Sequence, residues 1–121
     1  MNILIVDDEE LIRRSLKRVF EASGHQVTEA VDGAQGLNFW RQYQPDLVVL
    51  DVLMPGLTGP QVLSEFGPRG STKVILMSAY TGEYNLDLAR KAGADLFIPK
   101  PFQNVFEVAK IAEGLFARES D

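Results

Sequence analysis

Residues 1–10 read MNILIVDDEE, an aliphatic run that stops on four consecutive acids, Asp7, Asp8, Glu9 and Glu10. Two unit charges ~4 Å apart repel by about 4 kcal/mol at an effective dielectric of ~20, so such a cluster needs a cation or solvent. The run has the length of a strand, and its lack of alternation is that of a strand buried on both faces. The pattern recurs along the chain. Asp46–Leu50 (DLVVL) is followed by Asp51, Lys73–Met77 (KVILM) by Ser78, and Asp95–Ile98 (DLFI) by Pro99 and Lys100. Gln26–Ala30 (QVTEA) alternates instead, as a strand at a sheet edge does.

Between these runs lie segments with helical spacing. Ile12, Leu16, Val19 and Phe20 recur at three and four residues, and Gly24 stands where a glycine ends a helix. A second helix is predicted from about Ala34 to Tyr43, with Leu37 and Trp40 on one face and Pro45 beyond its end. A short third runs from Pro60 to about Phe66, and a fourth from about Glu83 to Ala92, closed by Gly93. The last follows Pro101 and reaches about Ala117, carrying Val105, Ala109, Ala112 and Phe116 inward. Five strand–helix alternations imply right-handed crossovers. The predicted fold is α/β: a doubly wound five-stranded parallel sheet with five helices, in the flavodoxin-like strand order 2-1-3-4-5.

Composition narrows the function. With 121 residues, 45% of them apolar and 24% charged, the chain is expected to be one soluble domain over residues 1–121. It has no cysteine, which excludes disulfides, thiolate metal sites and a cysteine nucleophile. No apolar run approaches the ~20 residues of a membrane span, and no basic leader precedes the first strand. A net charge of −5 argues against direct nucleic-acid binding. A cytoplasmic protein is expected.

In a doubly wound sheet, sites form beyond the carboxyl ends of the strands. Reading off those ends gives Asp7 and Asp8 after strand one, Asp51 after strand three, Ser78 after strand four and Lys100 after strand five. Taken singly, each has a bland reading: a helix start, a loop cap, a turn hydroxyl, a solvated lysine. Their coincidence on one rim favours chemistry. Clustered carboxylates repel unless a cation holds them, and oxygen-only ligands select a hard cation such as Mg²⁺. A metal, a lysine and a hydroxyl around a carboxylate suit a phosphoryl group, whose transfer depends on positioning and charge neutralisation. The acceptor would be Asp51, forming an acyl phosphate.

The set VDDEE, LDVLMPGLTG, MSA and PKPF, in this order and spacing, resembles the receiver domain of two-component response regulators over about residues 2–117. The resemblance implies Mg²⁺ held directly by Asp8 and Asp51 and by the backbone carbonyl of Leu53, with Asp7 acting through water. It implies Asp51 as phosphoacceptor, Ser78 and Lys100 as partners of the phosphoryl oxygens, and a cis peptide between Lys100 and Pro101. Phe97 matches the switch aromatic that follows Ser78 inward, with core packing as its other reading. The implied donor is a histidine kinase, a phosphotransfer protein or a small phosphodonor. The implied readout is the face of helix four, strand five and helix five, docking a downstream protein or output domain and open to phosphorylation-linked dimerisation. Leu53 and Tyr80 flank the site and lack the amide or carboxylate that would orient an attacking water, so a long-lived phosphorylated form is expected.

Glu9 and Glu10 read as a solvated helix start complementing the dipole. His25 reads as solvated, Trp40 as partly buried and Phe102 as core. Tyr84, Asp87 and Leu86 are placed on the outer face of helix four, and Asp87, Arg90, Lys91, Asp95 and Lys110 could make a partial set of charged pairs on the readout face. A nucleotide- or flavin-binding relative of the same fold would need backbone donors, not two carboxylates, after strand one. A haloacid-dehalogenase-like phosphatase would want an acid where Leu53 stands. An unphosphorylated pseudo-receiver acting as an interaction module is the remaining alternative. Either a stand-alone receiver or the receiver part of a longer regulator fits the sequence.

Overall fold

The NILIV run, Asn2–Val6, forms strand β1, and its apolar residues are buried on both sides of a sheet. Leu4 and Val6 join a core with Trp40, Val48 and Leu76, whereas Ile3 and Ile5 join a second with Phe20, Val49 and Met77. A strand sends successive side chains to opposite faces, so an unbroken aliphatic run marks a sheet covered on both. The computed structural model describes residues 1–79, 85–102 and 104–117. After β1 come α1 (Glu10–Ala22), β2 (Gln26–Ala30), α2 (Gly33–Tyr43), β3 (Leu47–Asp51), α3 (Gly59–Phe66), β4 (Lys73–Ser78), α4 (Leu86–Lys91), β5 (Leu96–Pro99) and α5 (Val105–Ala117). All pairings are parallel and the strand order is β2-β1-β3-β4-β5, the flavodoxin-like order the alternation predicts. One core contains residues of α2, α3 and α4, the other residues of α1 and α5.

Three strands run one residue past their apolar segments. Asp51 still pairs with Met77, and Ser78 with Pro99, because a polar side chain does not stop a backbone ladder. Asp46 and Asp95 stand just outside their strands, since each carboxylate accepts a main-chain N–H of a neighbouring strand, from Asn2 and Val74 respectively, at 2.8 Å. Asp95 also pairs with Arg69 at 3.0 Å, which withdraws it from the predicted set of surface pairs. Gly24 and Gly93 close α1 and α4 with φ of +91° and +105°, the left-handed region glycine enters without steric cost. Helix α4 follows Asn85, whose side chain accepts the Leu88 N–H at 3.0 Å. Tyr80, Glu83 and Tyr84 lie outside the described residues.

Three surface expectations are corrected. Trp40 is 1% exposed and stacks on Phe66 with ring centroids 4.1 Å apart, because α2 and α3 pack side by side over the sheet. On α4, Leu86 is half-buried and Leu88 is the leucine that faces outward. His25 is not solvated: its Nδ1 lies 2.9 Å from the Met1 amine and its Nε2 3.3 Å from Glu113 of α5. Phe102 is half-buried and packs against the core, in line with its expected packing role.

Candidate functional site

Asp7 follows β1 and is fully buried, and every one of its polar groups is engaged. Its N–H donates to the Ala30 carbonyl at 3.2 Å, and its own carbonyl accepts from Arg13 Nη1 at 2.9 Å. Its Oδ1 accepts the Glu9 N–H at 2.9 Å, and its Oδ2 accepts from Lys100 Nζ at 2.7 Å. Asp8, the next residue, is exposed. Asp51 closes β3 at 4% exposure, with an oxygen 3.4 Å from the same Lys100 Nζ. Oxygens of Asp7, Asp8 and Asp51 all lie within 4.8 Å of one another.

One ammonium thus serves three acids, since Glu9 also accepts from Lys100 at 3.1 Å. Burial alone would lower the pKa of Lys100, but the Asp7 hydrogen bond and the surrounding carboxylates outweigh it and hold the lysine above its ordinary value. The acids are undersupplied by the same count. Burial raises the pKa of Asp7, although Lys100 and the Glu9 N–H pull the other way. Burial, then the charge of Asp7, pushes Asp51 up to about 7 against the pull of Lys100. A cluster that remains too negative beside a buried lysine, with oxygen donors only and one carboxylate open to solvent, fits a hard divalent cation.

The structure therefore brings together Asp7, Asp8, Asp51 and Lys100. Ser78 is buried at the end of β4, and its carbonyl accepts the Lys100 N–H at 2.8 Å, tying β4 to the lysine's backbone. Leu53, in the loop after β3, is 55% exposed. Phe97 is half-buried on β5 beside Leu76, packed against the core on the α4 side rather than in the carboxylate cluster. Tyr80 lies outside the described residues. The Lys100–Pro101 peptide is cis, as the resemblance implies.

Two residues of the site escaped the sequence reading. Glu9 is held by Lys100, not merely solvated at a helix start, because Lys100, just after β5, reaches the acids that follow β1. Arg13 is buried between Asp7 and Glu29. Its spacing of three from Leu16 and seven from Phe20 placed it on the apolar stripe of α1, and that was a legible signal.

The other wall of the site depends on close approach. Thr58 and Gln61 form a capping box at the start of α3, and the Gly59 N–H donates to the Val52 carbonyl at 2.9 Å. A Cβ at Gly59 would stand 2.6 Å from the Asp51 carbonyl oxygen, which is backbone and cannot swing aside. Gly59→Ala is expected to cost about 1–3 kcal/mol by overpacking, measured by urea denaturation. A cost under about 0.5 kcal/mol would mean that α3 does not rest on β3. A separate cleft of about 570 Å³, lined in part by Arg41, Asp46, Arg69 and Thr72, opens at the opposite end of the strands.

Residues 3–111 match the response regulator receiver domain family. The chain belongs to that family. The receiver is 34% identical over 110 residues to the transcriptional regulatory protein CseB of Streptomyces coelicolor, covering 91% of this chain and 47% of that one. It is 34% identical over 116 residues to the chemotaxis protein CheY of Halobacterium salinarum, covering 95% and 97%. Among solved structures, response regulator protein TrrA of Thermotoga maritima, in complex with Mg²⁺–BeF, is similar at a TM-score of 0.81 and 36% identity, covering 94% and 97%. The receiver spans about half the length of CseB and of the aerobic respiration control protein ArcA of Escherichia coli. Among the described residues, no helix is long and apolar enough to cross a membrane.

Proposed function

We propose that this receiver is a phosphorylation-activated switch of a two-component phosphorelay, with Asp51 as the acceptor. The observation that carries the reading is the buried Lys100 shared by Asp7, Glu9 and Asp51 beside the open carboxylate of Asp8. An Asp51 oxygen attacks the phosphorus of a phosphohistidine or an acyl phosphate. The new O–P bond forms as the bond to the donor's nitrogen or oxygen breaks, and the leaving group departs with that electron pair. Asp8, Asp51 and the Leu53 carbonyl would hold Mg²⁺, with Asp7 acting through water; the ion would neutralise the carboxylates and the incoming phosphoryl oxygens. The Mg²⁺–BeF complex of TrrA supports the choice of ion.

Lys100 turns from Asp7 and Glu9 toward the phosphoryl group, and Ser78 donates its hydroxyl to another phosphoryl oxygen. Phe97 follows Ser78, so the two form the bistable element, and the altered surface is that of α4, β5 and α5. The donor is a histidine kinase, a phosphotransfer protein or a small phosphodonor. The target is a protein or an output domain reached through the altered face, with a phosphorylation-linked dimer as one form of the output. The receiver itself catalyses only its own phosphorylation and slow hydrolysis, so it is a signalling acceptor rather than an enzyme. It acts as one domain, in the cytoplasm, without touching nucleic acid or membrane.

The test is intact mass after incubation with acetyl phosphate and Mg²⁺. One phosphoryl group should be added, be lost to hydroxylamine and be absent in Asp51→Ala. With Leu53 beside the site the adduct should persist for minutes to hours. No adduct from acetyl phosphate or from a phosphorylated kinase would leave the pseudo-receiver reading standing.

A further inference from the structure

Arg13 is a charged residue buried on the apolar stripe of α1. Its guanidinium spans two elements: Nη1 donates to the Asp7 carbonyl at 2.9 Å, and Nε pairs with Glu29 of β2 at 3.1 Å. Lys17, one turn further along α1, approaches the other Glu29 oxygen at 3.6 Å and completes the neutralisation of that acid. Burying a guanidinium costs desolvation, which its two hydrogen bonds, one of them the ion pair with Glu29, offset. The group it holds is the peptide that joins Asp7 to Asp8.

Arg13 supplies a side-chain donor to the carbonyl of that peptide. The Asp7 side chain is fixed by Lys100 and by the Glu9 N–H, and its amide by Ala30. The Glu9 N–H bond to Asp7 Oδ1 closes a turn around that peptide, and the Arg13 bond to its carbonyl braces it from outside the turn; together they set where the Asp8 Cα–Cβ bond points. Asp8 is exposed, so solvent offers its carboxylate no competing order. We propose that Arg13 is a positioning residue for cation binding: by clamping the Asp7 carbonyl it aims the Asp8 carboxylate at the oxygens of Asp51. The inference rests on the reading that this cluster takes Mg²⁺.

The test is an NMR titration of metal-free receiver with MgCl2, following the amides of Asp8 and Asp51 and fitting Kd. Groups that orient metal ligands without touching the metal commonly change affinity by about 10–100-fold, so Arg13→Met is expected to weaken Mg²⁺ binding about 10-fold. Arg13→Lys keeps the charge but cannot reproduce the two-armed fork, and should fall between wild type and Arg13→Met. Glu29→Gln leaves an acceptor for Nε and the Asp7 clamp intact, so its Kd should stay within about twofold while its Tm falls.

Wild-type Kd in Arg13→Lys and Arg13→Met would overturn the proposal, leaving Arg13 a strut. So would an equal loss in Glu29→Gln, which would point to general loosening. If Arg13→Met does not fold, the Arg13→Lys value decides. Absence of Mg²⁺ binding in the wild type would overturn this inference and the cation reading together. Normal wild-type binding and phosphorylation with indifferent Arg13 variants would overturn this inference alone.

Discussion

Asp51→Asn should make the metal-free receiver more stable at pH 8, by roughly 2–4 kcal/mol, and should do nothing at pH 4. The folded protein raises Asp51 from 3.8 to about 7, through burial first and the charge of Asp7 second. A raised acid is one whose charged form the fold disfavours. Its contribution to stability is therefore fully present below the unfolded pKa and is lost as pH rises through the folded one, between about 4 and 7. Each unit corresponds to about 1.4 kcal/mol, which puts the ceiling near 4 kcal/mol. Asparagine has no charge to lose and keeps an oxygen for Lys100. For a domain of this size the gain is on the order of 10 °C in Tm.

The measurement is a pair of urea titrations in EDTA, at pH 4 and pH 8, for both proteins. Equal stability at pH 8 would mean that the cluster is already neutralised by Lys100. Added Mg²⁺ should then narrow the gap, because a cation held by the carboxylates stabilises the wild type by mass action and the variant much less. On the proposed function, the Asp51 carboxylate is held at a cost to the fold that bound metal and a phosphoryl group would relieve.

Much of this site could be read from the chain because strand ends in a parallel sheet are addresses. Once NILIV, DLVVL, KVILM and DLFI are strands, Asp7, Asp51, Ser78 and Lys100 must emerge on one rim, whatever the details. The run of four acids was legible at Asp7 and Asp8 but not at Glu9. Whether an acid at a helix start meets solvent or a lysine 91 residues away depends on which rotamer a side chain from β5 adopts, and no local pattern encodes that. Asp95 was misplaced for a related reason: an acid just before a strand reads as surface charge, yet its partner is a main-chain N–H supplied only by the neighbouring strand. Trp40 and Phe66 belong to separate helical patterns, and their stacking is a property of how α2 and α3 pack. Arg13 was within reach, because a charged residue on an apolar stripe already demands a buried partner.

Lys100→Met should be the change at the site most damaging to stability, and its effects on stability and on chemistry should separate. Removing one member of a buried ion pair commonly costs about 3–5 kcal/mol, because the partner is left charged and dry. Here the orphaned groups are Asp7 and Asp51, both already pushed toward protonation. At pH 8 the loss should approach 3 kcal/mol. As pH falls the two acids take up protons, the repulsion disappears and the cost shrinks to that of the lost hydrogen bonds. Mg²⁺ should bind the variant at least as well as the wild type, since the pocket has become more negative. Phosphoryl uptake from acetyl phosphate should nonetheless drop by about 100-fold or more, the usual consequence of deleting one donor aimed at developing charge. Asp51→Asn in the same background tests whether the cluster is one electrostatic unit. With the second carboxylate neutral, the missing ammonium matters less, so the double variant should be more stable at pH 8 than Lys100→Met alone. If the double variant is no more stable than Lys100→Met, the 3.4 Å approach of Lys100 to Asp51 is incidental and the lysine belongs to Asp7.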